Sequence, residues 1–321
     1  MVTLDDILAA QAQLKGIAAR TPLIRNYAVE VHELYFKPES FQPIGSFKLR
    51  GAYNKVASLP ESERRNGVIT YSSGNHAQGV AYAARALGVK SVIVMPRNAP
   101  KVKVDATAAL GAEIVMVGAG SNERLQKAQE LAAAHGYAII PPYNDEKIIA
   151  GQGTIGIEIL ADLPDVDLVL CPVGGGGLLS GVASAIKLSG SRAKVIGVEP
   201  ELANDAQQSF RSGSIVAIPA EQAASTLADG LRTQSIGPIN FEHIRKYVDD
   251  IVTISEAEMR ESMRQIVASA RLVPEPSGAV TFAAWLFHRA ELPEARKIVT
   301  VISGGNVEPS LLAEILKGSN Q

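Results

Sequence analysis

Cysteine is almost absent: the 321 residues include one, Cys171. That excludes an intrachain disulfide and any Cys-x-x-Cys metal or redox site. In the apolar run Leu168-Val-Leu-Cys-Pro it reads as a small buried hydrophobe. Long apolar runs are missing too. Each is interrupted well short of membrane-spanning length, and the N-terminus, Met1-Val-Thr-Leu-Asp-Asp, has neither a basic n-region nor a continuous apolar core. The expectation is a soluble cytoplasmic protein with no membrane contact. An excess of either charge is lacking as well, since 31 Lys+Arg against 33 Asp+Glu leave a net charge of −2. That balance argues against a nucleic-acid partner, and 46% apolar with 20% charged residues argues against disorder. A small-molecule substrate fits this surface best. There is no sequence repeat and no low-complexity tail.

What is present is alternation. Short β-branched runs (Gly67-Val-Ile-Thr-Tyr, Ser91-Val-Ile-Val-Met, Glu113-Ile-Val-Met-Val, Tyr137-Ala-Ile-Ile) are separated by Ala-rich helical stretches. The pattern resumes at Asp167-Leu-Val-Leu-Cys-Pro-Val, Lys194-Val-Ile-Gly-Val and Lys297-Ile-Val-Thr-Val-Ile. Repeated strand-helix units predict an α/β fold: twisted, mostly parallel sheets flanked by helices on both faces. Length favours two lobes. Four strand-helix units fit between the Lys48 segment and Pro141-Pro142-Tyr143-Asn144, so a small domain is expected at 51–145, inserted into a large one built from 1–50 and 146–321. The chain ends about fifteen residues after Ser303-Gly304-Gly305-Asn306, too few for an added regulatory domain.

Three segments carry chemistry. Gly174-Gly175-Gly176-Gly177 lies between a strand and the helical Leu178-Leu-Ser-Gly-Val-Ala. Main-chain N–H groups converge at such a turn and the helix dipole favours an anion, so the loop predicts a phosphate site. It is not the dinucleotide fingerprint, which would need glycine where Leu179 stands, and no Gly-Lys-Ser/Thr makes a nucleotide loop. Lys48 follows the helix breakers Pro43 and Gly45 and sits beside Phe47. A Schiff-base lysine needs such a backbone to expose it; standing alone, the residue would read as a solvated charge. Ser72-Ser73-Gly74-Asn75-His76 opens a helix after Val68-Ile-Thr-Tyr, and its N–H groups could receive a carboxylate. Ser73 by itself reads as an N-cap and His76 as a satisfied helix residue.

In this order, the motifs resemble those of the fold-type II pyridoxal-phosphate enzymes (tryptophan synthase β-like), within them the serine/threonine dehydratase and serine racemase family. The likeness runs from Arg20-Thr-Pro-Leu through Gly45-Ser-Phe-Lys-Leu-Arg-Gly-Ala, Ser72-Ser-Gly-Asn-His-Ala-Gln-Gly, Ala150-Gly-Gln-Gly-Thr-Ile and Val173-Gly-Gly-Gly-Gly-Leu to Glu275-Pro-Ser-Gly-Ala and Ser303-Gly-Gly-Asn. The resemblance implies that Lys48 forms the Schiff base with pyridoxal 5'-phosphate, Phe47 lies against its ring and Asn75 bonds the ring hydroxyl. Gly174, Gly175, Gly176 and Gly177 would hold the phosphate, Ser303 would face the pyridine nitrogen, and Glu275 would belong to the cofactor site. Ser72, Ser73, Asn75 and His76 would surround the substrate carboxylate. Glu199, the Ala203 carbonyl and Asp205 match the family's divalent-cation site, whose hard oxygen donors suit Mg2+, Ca2+ or Mn2+. A homodimer is implied as well.

A hydroxyl at Ser303, unlike a carboxylate, leaves the pyridine nitrogen largely unprotonated, which favours loss of a β-leaving group. The expectation is therefore a lyase converting L-threonine or L-serine to a 2-oxo acid and ammonia. Lys48 would remove the Cα proton once the substrate amine has displaced it. Two alternatives stay open. Serine racemase would use Ser73 as the proton carrier on the opposite face. A threo-3-hydroxyaspartate dehydratase would need a cation for the second carboxylate, with Arg124, Lys127 and Arg232 as candidates. More distant readings fit less well: a non-catalytic amino-acid sensor would have lost Lys48 or the glycine loop, the wording of the motifs leans away from a cysteine synthase, and a nicotinamide dehydrogenase would need the missing fingerprint.

Overall fold

The structure is a computed structural model that describes residues 1–72, 74–97, 99, 101–118 and 121–318. Its strands are β1 Ile24–Arg25, β2 Glu33–Pro38, β3 Val68–Thr70, β4 Ser91–Pro96, β5 Glu113–Val117, β6 Ala138–Ile139, β7 Leu168–Pro172, β8 Lys194–Pro200, β9 Asp250–Ile254 and β10 Lys297–Ile302. They form two sheets. The larger runs β1-β2-β10-β7-β8-β9 and the smaller β5-β4-β3-β6. Every pair is parallel except β1 with β2, which meets the sequence expectation of mostly parallel sheets.

All seven runs singled out by their β-branched content are strands. Parallel central strands are covered on both faces and so read as continuous apolar runs; β7 is buried along its whole length. Cys171 on β7 is fully buried, and burial pushes its thiol well above its ordinary range, as expected of a hydrophobe and not of a nucleophile. Three strands escaped the sequence reading, the two-residue β1 among them. β2 contains Lys37, a charge buried inside a sheet, and β9 is the short Asp250-Ile-Val-Thr-Ile run.

Apolar layers lie on both faces of the large sheet. One includes Phe36, Phe282, Trp285 and Met263, the other Ile155, Leu179, Val182 and Ile244. Phe282 stacks on Trp285 with ring centroids 5.5 Å apart. A third apolar cluster, with Leu49, Val56, Val80 and Ile93, joins the helix Lys48–Ser58 to the small sheet. That helix packs against Asn75–Ala86 on one side and Glu146–Asp162 on the other. Among the described residues, no helix is long and apolar enough to cross a membrane.

Candidate active site

Lys48 is the first residue of its helix, and the loop before it is sewn to the end of β10. The Phe47 N–H donates to the Ser303 carbonyl at 3.0 Å, the Gly305 N–H to the Gly45 carbonyl at 2.9 Å, and Ser46 forms an isolated bridge with Gly304. The sequence motifs at 45–48 and 303–306 are therefore one structural unit. The Lys48 amine donates to the Pro142 carbonyl at 2.7 Å and stands 5.2 Å from the centre of the Phe47 ring. Enclosure by protein lowers its pKa to about 8, against the opposing pull of the Glu275 carboxylate. A neutral amine is thus accessible near physiological pH, as an attacking or proton-accepting lysine requires.

Gly174–Gly177 follow β7 and open the helix Gly177–Leu188. Gly176, the residue before it, has φ +94, a left-handed conformation that favours glycine. A Cβ on Gly175 would stand 2.3 Å from the Tyr143 ring. Among the described residues no side chain caps this helix, which leaves the N–H groups of its first turn suited to a phosphate. The Tyr143 hydroxyl is pushed up to about 12 by burial, with Tyr71 and the Asp205 charge adding to it.

Asn75 begins the helix Asn75–Ala86, which belongs with the small sheet, yet its side chain is held from the large one. Its Nδ2 donates to Glu275 at 2.7 Å, and its Oδ1 accepts from Asn306 Nδ2 at 2.7 Å, which also donates to the Ile44 carbonyl at 2.8 Å. Burial, followed by the negative charge of Asp229, pushes the Glu275 carboxyl up to about 8. Ser303 is buried and donates to the Ser277 carbonyl at 3.3 Å, and Ser277 Oγ in turn accepts from the Gly230 N–H at 2.9 Å.

Among the residues expected around a substrate carboxylate, Ser72 accepts from the Gly74 N–H at 3.3 Å. Ser73 lies outside the described residues. The buried His76 imidazole is committed to the Ile140 carbonyl at 3.0 Å, and burial, with Lys48 nearby, lowers its pKa to about 3. Its ring is neutral and turned to the interior, which leaves only its main-chain N–H for the pocket. Lys127 pairs with Glu130 on the surface, and Arg232 donates to the Thr226 carbonyl of its own loop. Arg124 is partly buried on the helix Ser121–His135.

Glu199 and Asp205 lie close together and are both fully buried. Glu199 accepts the N–H groups of Ala206 and Gln207 at 3.0 and 2.8 Å, capping the helix Asp205–Ser212. Asp205 Oδ2 has no hydrogen-bond partner. Burial, followed for Glu199 by its neighbour's charge, raises both carboxyls, Asp205 to about 7. Two enclosed carboxylates, one with an orphaned oxygen, fit a hard divalent cation completed by carbonyl and water. Among the described residues no group of three His, Cys, Asp or Glu side chains gathers, so the ligand set would rest on these two carboxylates and a carbonyl.

Sequence reading missed several participants: Pro142 and Tyr143, taken as punctuation between lobes, and Asn306, Ser277 and Asp229. The signal for Asn306 was its place in Ser303-Gly-Gly-Asn; nothing local marked Asp229.

A mostly parallel α/β fold with an enclosed lysine and a glycine turn opening a helix after a central strand defines a class. The chain belongs to the pyridoxal-phosphate dependent enzymes: that family's model, "Pyridoxal-phosphate dependent enzyme", matches residues 14–304. Within the class it falls in the fold-type II group of serine/threonine dehydratases and racemases. It is 43% identical over 319 residues to the L-threo-3-hydroxyaspartate ammonia-lyase of Saccharomyces cerevisiae, covering 98% of this chain and 97% of that protein. It is also 43% identical over 318 residues to the catabolic L-threonine dehydratase of Escherichia coli K12, covering 98% and 96%. Among solved structures, maize serine racemase superposes with a TM-score of 0.93 at 34% identity, covering 98% of this chain and 97% of that one.

Proposed function

We propose that the chain dehydrates and deaminates L-threonine or L-serine to a 2-oxo acid and ammonia. The observation that carries this reading is the enclosed Lys48 amine, held by a neutral carbonyl and not by a carboxylate, in a site whose only group at position 303 is a hydroxyl. Pyridoxal phosphate, when bound, supplies the electron sink that makes the Cα proton removable. Phe47 offers a flat apolar face, the glycine turn offers N–H donors for a phosphate, and Asn75 is held by Glu275 and Asn306 to present its amide at a ring hydroxyl. Ser303 would face the pyridine nitrogen as a neutral partner. The first turn of the helix after Ser72 and Ser73 receives the substrate carboxylate, through main-chain N–H groups in the case of His76.

Lys48 holds and moves the proton. With its pKa lowered to about 8, roughly one tenth of the free amine is neutral at pH 7, against less than about one thousandth for an ordinary lysine. The freed amine takes the proton from Cα, and the β-hydroxyl, once protonated, leaves as water. A divalent cation, Mg2+ in the first instance, would sit at Glu199, the Ala203 carbonyl and Asp205 as a structural or activating ion. The division into 1–50 with 146–321 and 51–145 is retained because the two sheets draw their strands from either side of it. The working form is a cytoplasmic homodimer, by analogy with the family.

Hydroxyaspartate dehydration is the second reading, favoured by the yeast relative's name and its 43% identity; racemisation of serine through Ser73 is a third, suggested by the maize enzyme. The test is to give cofactor-loaded enzyme L-threonine, L-serine, D-serine and L-threo-3-hydroxyaspartate separately, measuring 2-oxo acid, ammonia and serine enantiomers. Fast oxo-acid release from threonine or serine is the expected result. Faster turnover of hydroxyaspartate, or serine inversion outpacing ammonia release, would replace it.

A further inference from the structure

One charged pair spans the two sheets at this site. Lys103, on the helix Lys101–Ala109 beside the small sheet, forms an ion pair with Asp229, which begins the single helical turn Asp229–Leu231 of the large one. Lys103 is mostly enclosed, with 15% of its side chain exposed, whereas Asp229 lies nearer the surface at 35%. The turn is part of the site. Gly230, its middle residue, donates to Ser277 Oγ at 2.9 Å, and Ser277 holds Ser303. The Leu231 Cα would lie 3.1 Å from a Cβ on Gly174. The charges of Asp229 and Lys103 are both felt at the Glu275 carboxyl, which holds Asn75.

We propose that Lys103 and Asp229 set the substrate class: Lys103 is the cation able to receive a second, distal carboxylate, and Asp229 withholds it, so the site favours hydroxy-amino acids with uncharged side chains. This rests on the dehydratase reading and deepens it. A dicarboxylic substrate must either bring its distal carboxylate beside the like charge of Asp229 with Lys103 already taken, or displace Asp229 from Lys103, and both are unfavourable. A methyl or hydrogen at the same place needs no partner. Arg232 and Lys127, whose side chains are engaged elsewhere, do not fill this role.

The experiment uses the cofactor-loaded enzyme and its Asp229→Asn, Lys103→Met and doubly substituted variants. Two ratios are read: kcat/KM for L-threo-3-hydroxyaspartate over L-threonine, and calorimetric affinity for malonate over acetate. Asp229→Asn is expected to raise both by about ten- to a hundredfold, the span of one charge-assisted hydrogen bond, and adding Lys103→Met is expected to erase the gain. Lys103→Met alone leaves Asp229 facing the anion and lowers the malonate preference about tenfold, which keeps the test intact if Asp229→Asn does not fold. A pair that merely holds the lobes together would change both substrates alike and leave the ratios within about twofold, overturning the proposal, as would a gain that survives loss of Lys103. If neither amino acid is turned over, the dehydratase reading fails, and the malonate preference still decides the role of Lys103.

Discussion

Lys37 and Lys48 are both enclosed, and they are partnered in opposite ways. Lys37 has no exposed surface; its amine donates to Glu158 and to the Thr21 carbonyl, each at 2.6 Å. Glu158 also accepts from Arg50 at 2.7 and 2.9 Å, and Arg50 binds Glu39 at 2.8 and 2.9 Å. Two cations and two anions close into a neutral group, satisfied further by Thr21, Gln42 and Thr154. Lys48 has a carbonyl and an aromatic face, with Glu275 acting on it only through space. Burial lowers both pKa values. The difference shows that withdrawal from water does not by itself mark a reactive lysine. A charge neutralised by its neighbours is structural, whereas an amine left with neutral partners is poised to lose its proton.

Exchanging the fates of these lysines tests that contrast most severely. Lys48→Ala is expected to lower turnover more than about 10³-fold, and borohydride should no longer fix the cofactor to the protein; full turnover without added amine would sink the assignment. The same variant should change stability by less than about 1 kcal/mol, since no charged partner is stranded. Lys37→Met, in contrast, leaves two carboxylates to one guanidinium and should cost about 3–5 kcal/mol in denaturant unfolding. A loss below about 1 kcal/mol would show that the buried group tolerates imbalance.

Titration sharpens the contrast. The rate at which cofactor-free enzyme takes up pyridoxal phosphate should climb about tenfold per pH unit below about 8 and level off above it, because only the neutral Lys48 amine attacks. A profile still rising steeply at pH 10 would return Lys48 to an ordinary pKa. His76 works through stability. Its folded pKa of about 3 lies below the unfolded value of 6.5, so the contribution of its neutral ring is present above 6.5 and is lost as pH falls toward 3. Thermal midpoints that hold constant from pH 7 to 4 would contradict this burial. The smallest effect belongs to the Glu199–Asp205 pair, an imbalance of the opposite sign. Mg2+ at a hundredfold excess over its dissociation constant should raise the melting temperature by about 5 °C, and Asp205→Asn should abolish the shift.

How much of this was readable in the chain depends on whether the signal was local. β7 and the glycine turn are contiguous, so an apolar run ending in four glycines announced both. β2 was hidden because Lys37 interrupts an apolar run, and its neutralising partner Glu158 is 121 positions away. Asn75 was legible as a helix opener, but the contacts that aim it come from Glu275 and Asn306, 200 and 231 positions on. Lys103 and Asp229, 126 positions apart, each look like a surface charge until the two sheets are put side by side. Pro142 misled in the other direction: its punctuation of the chain was plain, while the use of its carbonyl as the resting partner of Lys48 required the folded joint.

The stitching of residues 45–47 to residues 303–305 also bears on how the protein is made. A ribosome delivers Lys48 together with the helix that carries it, but the strand end that fixes the backbone before that lysine emerges only after both sheets' other strands have been made. A nascent chain has therefore made nine strands before the backbone that holds its lysine in place can form.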